Sequence, residues 1–199
     1  MNSFRAFWRR TRERMALAAS SPISAARNPA VAAYLDEVLA AFPYTDAAKA
    51  WFRGAIAFEV ENLESVSGGG FWYPDRSTVF LYTAQYEAAI HELAHAWWEE
   101  RRPRLKDDLI AATVALSEEA DPRYQRMQRL TYGYVHGIPE QNWPGMLVER
   151  NDWEMYAGMA SGMMADLRLV PPYVRVFYDE MYLLLPDDAP APASVAPHN

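Results

Sequence analysis

The chain has 199 residues, 51% of them hydrophobic and 23% charged, which suffices for a packed core in one domain and excludes wholesale disorder. Cysteine is absent, which excludes a disulfide scaffold, a cysteine zinc ribbon, an iron–sulfur cluster and a thiol nucleophile. A net charge of -7 argues against a broad nucleic-acid-binding surface, and a transition-metal site must be built from Asp, Glu and the four histidines.

The first 20 residues read as a basic helical extension. Arg5, Arg9, Arg10, Arg12 and Arg14 surround Phe4, Phe7, Trp8 and Met15. The apolar stretch behind these arginines is too short for the core of a signal peptide. No stretch reaches the ~18–20 apolar residues of a membrane span, so the chain is expected to be cytoplasmic. Residues 21–185 read as a single domain. From Pro186 the chain is rich in Pro, Ala and Asp without apolar pattern, so 186–199 is expected to be a disordered tail.

Within the domain, Asn28 and Pro29 are a cap and first residue for a helix over 29–42. Its apolar positions, Val31, Tyr34, Leu35, Val38, Leu39 and Phe42, fall on one face. A second helix is expected from Asp46 to Phe52. Ile56, Phe58 and Val60 alternate with Ala57, Glu59 and Glu61, which favours a strand. Residues 65–70 read as a glycine-rich turn, followed by strand, turn and strand over 71–73, 74–76 and 78–82. The strand at 78–82 is expected at a sheet edge, where an extended peptide could pair with it. Helices follow at 84–102, 104–120, 122–135 and 149–167, and a last one started by Pro171-Pro172 carries Val174, Phe177, Tyr178, Met181, Leu184 and Leu185. The fold class is therefore α+β and mostly helical, with a short hairpin or sheet before the helix at 84–102.

That helix carries HExxH: His91, Glu92 and His95. Residues four apart lie on one helix face. His91 and His95 can therefore offer two imidazole nitrogens to one zinc ion, and Glu92 can take a proton from water polarised by that metal. Two His with a carboxylate also suit non-haem iron, but those sites usually sit on β-barrels and this chain reads as helical. A third ligand is required. The histidine ten residues after the first that marks metzincins is replaced by Arg101, and Trp98 stands where their glycine would be. Of the remaining histidines, His198 lies in the tail and His136 lies between a helix and a loop. A carboxylate on a second helix is the better candidate. Glu154 is followed by Ala157, Gly158, Ser161 and Gly162, small residues that let another backbone come close. Asp152, Glu149 and His136 remain alternatives, and Glu99 lies too far along its own helix.

HExxH followed by this glutamate in an E-x-x-A setting resembles the gluzincin peptidases. The run Gly68-Gly69-Gly70-Phe71-Trp72-Tyr73-Pro74 ahead of it is similar to the hairpin of small gluzincins, and the resemblance spans residues 55–165. It implies one Zn2+ held by His91, His95 and Glu154, Glu92 as general base, and a peptide or protein substrate. An oxyanion donor is needed as well. Tyr132, Tyr134, His136 and Tyr156 are candidates, and His136 is taken as the catalytic partner because it lies between the two ligand helices in sequence. Asp152 and Glu99 are candidates to orient the imidazoles. The competing function is a catalytically silent or latent zincin-fold protein acting by binding or regulation.

Overall fold

In the computed structural model of the chain, the described residues are 23–24, 28–65, 68–101, 106–124, 152–164 and 166–183. The expected extension at 1–20, the tail, most of the helix at 122–135, and Tyr132, Tyr134, His136, Glu149 and His198 lie outside them.

Helix α1 (Pro29–Ala41) starts as its sequence dictates. The Asn28 side chain accepts a hydrogen bond from Ala30 N at 2.8 Å, and Pro29 occupies a position where no N–H is needed. Its buried face is Val31, Tyr34, Leu35, Val38 and Leu39. Thr45 caps α2 (Asp46–Ala55) in the same way, accepting from Ala48 N at 3.1 Å. The Thr45 hydroxyl also donates to Glu180 O at 2.9 Å, and Thr45 N donates to Met181 O at 2.9 Å. These bonds fasten the C-terminal segment to the start of α2.

Two-residue strand β1 (Ile23–Ser24) pairs antiparallel with β2 (Ala57–Asn62). Strand β3 (Gly70–Tyr73) turns through a short 3-10 helix at Pro74–Arg76 into β4 (Thr78–Thr83). The sheet order is β1-β2-β4-β3, with β2 parallel to β4 and β3 antiparallel to it. This corrects the expected place of residues 78–82. That strand is internal, and β3 is the edge. Its burial explains why: β4 alone has five of six residues buried, as a strand paired on both sides requires. The residues facing inward are Phe58, Val60, Trp72, Val79 and Leu81.

Helix α3 (Tyr86–Arg101) packs against β3 and β4 on one side and against α5 (Asp152–Gly162) on the other. A helix covered on both sides must be apolar nearly all round. Ala88, Ala89, Ile90, Leu93, Ala94, Ala96, Trp97 and Trp98 are all buried. Helix α4 (Lys106–Ser117) packs against α5 and against the short α6 (Pro172–Arg175).

Two expected helices are shorter than their apolar patterns suggest. Helix α5 stops at Gly162 instead of reaching 167, and a separate 3-10 turn at Leu167–Leu169 follows, capped by the Asp166 side chain. Beyond α6 the chain continues as successive turns, with Phe177 N bonded to Val174 O and Tyr178 N to Arg175 O. Those turns still bury Phe177, Tyr178, Met181 and Tyr182. Their apolar spacing is met without a continuous helix because Thr45 holds the chain at Glu180 and Met181. The fold is thus mixed α+β and mostly helical among the described residues. None of the described helices is long and apolar enough to cross a membrane.

Candidate metal centre

The sheet and α5 hold α3 so that one stretch of it faces a junction of three elements. His95 is 2% exposed and Glu92 is 7% exposed, unusual burial for polar residues and a sign of specific partners. His91 Nε2 and His95 Nε2 lie 3.0 Å apart. Glu154 Oε2, from α5, lies 3.3 Å from His91 Nε2 and 3.5 Å from His95 Nε2.

These separations can be tested against a metal. Ligand atoms about 2.0–2.1 Å from a tetrahedral zinc stand roughly 3.3–3.4 Å from one another. The three observed distances bracket that value, and two neutral imidazoles with one carboxylate are a hydrolytic zinc donor set. The residues present therefore fit the ion. Of the carboxylates weighed from the sequence, Glu154 is the one that converges with the histidines among the described residues.

The charges around the site are mutually dependent. Burial pushes the Glu154 carboxyl up, but the two imidazoles outweigh it and hold the group well below the ordinary carboxylate range. Burial pushes the His91 imidazole down. The hydrogen bond with Glu154 and the charges of Glu92, Glu154 and Glu87 outweigh that and raise it above its ordinary value. Without metal, the site is thus a buried imidazole–carboxylate pair. The same three atoms could instead hold a metal ion.

Glu92 is placed by the strand above it. A Cβ on Gly70 would lie 2.8 Å from Glu92 Cγ, 2.7 Å from Phe80 O and 2.6 Å from Leu81 Cδ2. Only glycine lets β3 pass this close, so the edge strand and Glu92 share one wall of the site. The sequence reading had Gly70 as the end of a loop; it is the first residue of β3. A glycine immediately before an aromatic strand was the signal for close backbone approach.

The register of β3 shows which of its groups face outward. Tyr82 N donates to Gly69 O at 3.0 Å, so Gly69, Phe71 and Tyr73 turn their backbone groups toward β4. Gly70 and Trp72 therefore direct their N–H and C=O groups away from β4. Among the described residues no further strand pairs there.

Other expected groups fall elsewhere. Tyr156 is fully buried, donates to Phe177 O at 3.3 Å and stacks on Tyr178 at 4.4 Å between ring centroids, so it is a core residue and not an oxyanion donor. Trp72, Trp97 and Trp98 are likewise buried in the core. His91 Nδ1 is buried without a hydrogen-bond partner among the described residues, so Glu99 does not orient that ring through it. The side chain of Asp152 lies outside the described set. Trp153 packs on His95 with ring centroids 4.0 Å apart. Its Nε1 is buried and has no hydrogen-bond partner among the described residues. Its adjacency to Glu154 was the only sequence signal for that contact.

Compared with known families, curated proteins and solved structures, the chain matches none.

Proposed function

We propose that the protein is a zinc-dependent peptidase in which His91, His95 and Glu154 hold the ion and Glu92 is the general base. The observation that carries this reading is the meeting of three ligand atoms from two helices beside a buried glutamate. A zinc ion there would act as a Lewis acid toward a peptide carbonyl and lower the pKa of the attacking water. Glu92 would accept the proton from that water and deliver it to the departing amine as the C–N bond breaks. An extended peptide would lie along β3 and pair with the outward backbone groups of Gly70 and Trp72. Backbone pairing of this kind recognises a main chain and discriminates little among side chains. The close passage of Gly70 over Glu92 brings a peptide bound there next to the base.

The test uses the full chain loaded with zinc. Metal analysis is expected to give about one zinc per chain, in line with a single three-ligand site. Casein or a peptide library should be cleaved, and Glu92→Gln should keep the zinc while losing roughly 10²–10⁴-fold in rate. Bound zinc with no cleavage by the wild type would favour the silent, binding-module reading. Equal cleavage by Glu92→Gln would remove Glu92 from the mechanism.

A further inference from the structure

We infer that Trp153 is a positioning residue for the metal centre, its indole ring fixing the His95 imidazole in the orientation that ligation requires. The inference rests on the metal-site reading above and extends it to a residue that is not itself a ligand. Helix α5 contacts His95 twice. Glu154 Oε2 stands 3.5 Å from its Nε2, and the adjacent Trp153 ring packs on it with centroids 4.0 Å apart and planes tilted by 42°. The effect passes on to the second histidine. His91 meets His95 edge to face, with centroids 4.6 Å apart and planes at 87°, and His91 Nδ1 has no hydrogen-bond partner among the described residues. Metal-bound imidazoles are usually oriented by an acceptor on the distal nitrogen. His91 has its ring contact with His95 instead, and Trp153 packs on His95 in turn.

The contact acts on the empty site. A ring already held in one orientation loses less freedom when an ion binds, and a saving of that kind raises affinity. The indole Nε1 has no hydrogen-bond partner among the described residues, so what the site uses is the ring.

The experiment is a zinc competition titration of the full chain against a chromophoric chelator, with Co2+ absorption as a second readout. Trp153→Ala is expected to raise the Kd for zinc roughly 10–100-fold, the range for loss of a group that orients a ligand. It should also alter the visible d–d bands of the Co2+ form. Trp153→Phe, which keeps a ring and removes the N–H, should stay within roughly fivefold of the wild type. A Trp153→Ala chain with wild-type circular dichroism, zinc Kd and Co2+ spectrum overturns the inference. Should Trp153→Ala fail to fold, Trp153→Leu decides. It fills the space without a π face, so wild-type zinc binding by that variant overturns the inference and a tenfold or greater loss supports it. A wild-type chain that takes up no zinc overturns the metal site itself, and that outcome is seen before any variant is made.

Discussion

In the proposed metal site, helix α3 brings two ligand atoms by its own geometry, whereas α5 brings one by its packing. The four-residue spacing of His91 and His95 is sufficient to put both rings on one face in any intact helix. Glu154 has no such guarantee. It reaches the same point because α5 lies against α3, the most extensive contact between helices among the described residues. Ala157, Ala160 and Ser161 are buried on α5 with almost no exposed surface, and their small size is what permits the approach. A local ligand pair and a tertiary third ligand thus differ in how they can fail. The pair fails when a side chain is removed. The third ligand also fails when the helices move.

The largest effect should come from the local pair. His95→Ala removes a ligand and leaves a void in a site where His95 is 2% exposed. Zinc affinity is expected to fall roughly 10²–10³-fold, one ligand's share of the ~10–16 kcal/mol typical of structural zinc sites. The chelator titration checks this. A loss under tenfold would mean that the helix does not supply the dominant ligands.

The second prediction leaves every ligand in place. Ala157→Leu adds bulk one turn beyond Glu154 on the same face of α5, at a position with no exposed surface. Overpacking of this kind costs about 1–3 kcal/mol, so thermal unfolding should shift down by several degrees. If packing positions Glu154, zinc affinity should fall along with stability, although His91, His95 and Glu154 are unchanged. A stability loss with undiminished zinc affinity would break the distinction between the two helices.

The same distinction explains what could be read from the sequence. His91, Glu92 and His95 were legible because helix periodicity alone relates them. The cap at Asn28 and Pro29 was legible for the same reason, as it is settled within three residues. Glu154 was legible only through its small neighbours and a family resemblance, since no local rule ties α5 to α3. The internal place of β4 was not legible. Strand order depends on β2 pairing parallel to β4 across the intervening β3, and nothing in the residues 78–82 encodes which partners they take. The packing of Trp153 on His95 was hidden likewise, because an indole beside His95 and an indole in a core look the same in sequence.

The smallest effect separates the ligand helices by pH. In the metal-free chain His91 has its pKa raised above 6.5, and the causes that outweigh its burial are the bond to Glu154 and nearby carboxylates. Its contribution to stability is then fully present below pH 6.5, its unfolded value, and is lost as pH rises through the raised folded value. Glu154 has the opposite sign. Its pKa is lowered, so its contribution is present above the unfolded value of 4.5 and is lost only as pH falls through the folded one. Between these limits both partners are charged and the empty site is most stable. Raising the pH from 6 to 8 should therefore lower the Tm of the metal-free chain slightly, through the α3 partner alone. Zinc affinity should move the other way over the same interval, because the ion must displace the proton on His91. Melts in chelator and zinc titrations at the two pH values check both slopes. Parallel slopes would show that His91 does not exchange a proton for the metal. Opposed slopes in the wild type that flatten in Glu154→Gln would show that α5 sets the protonation of a ligand on α3.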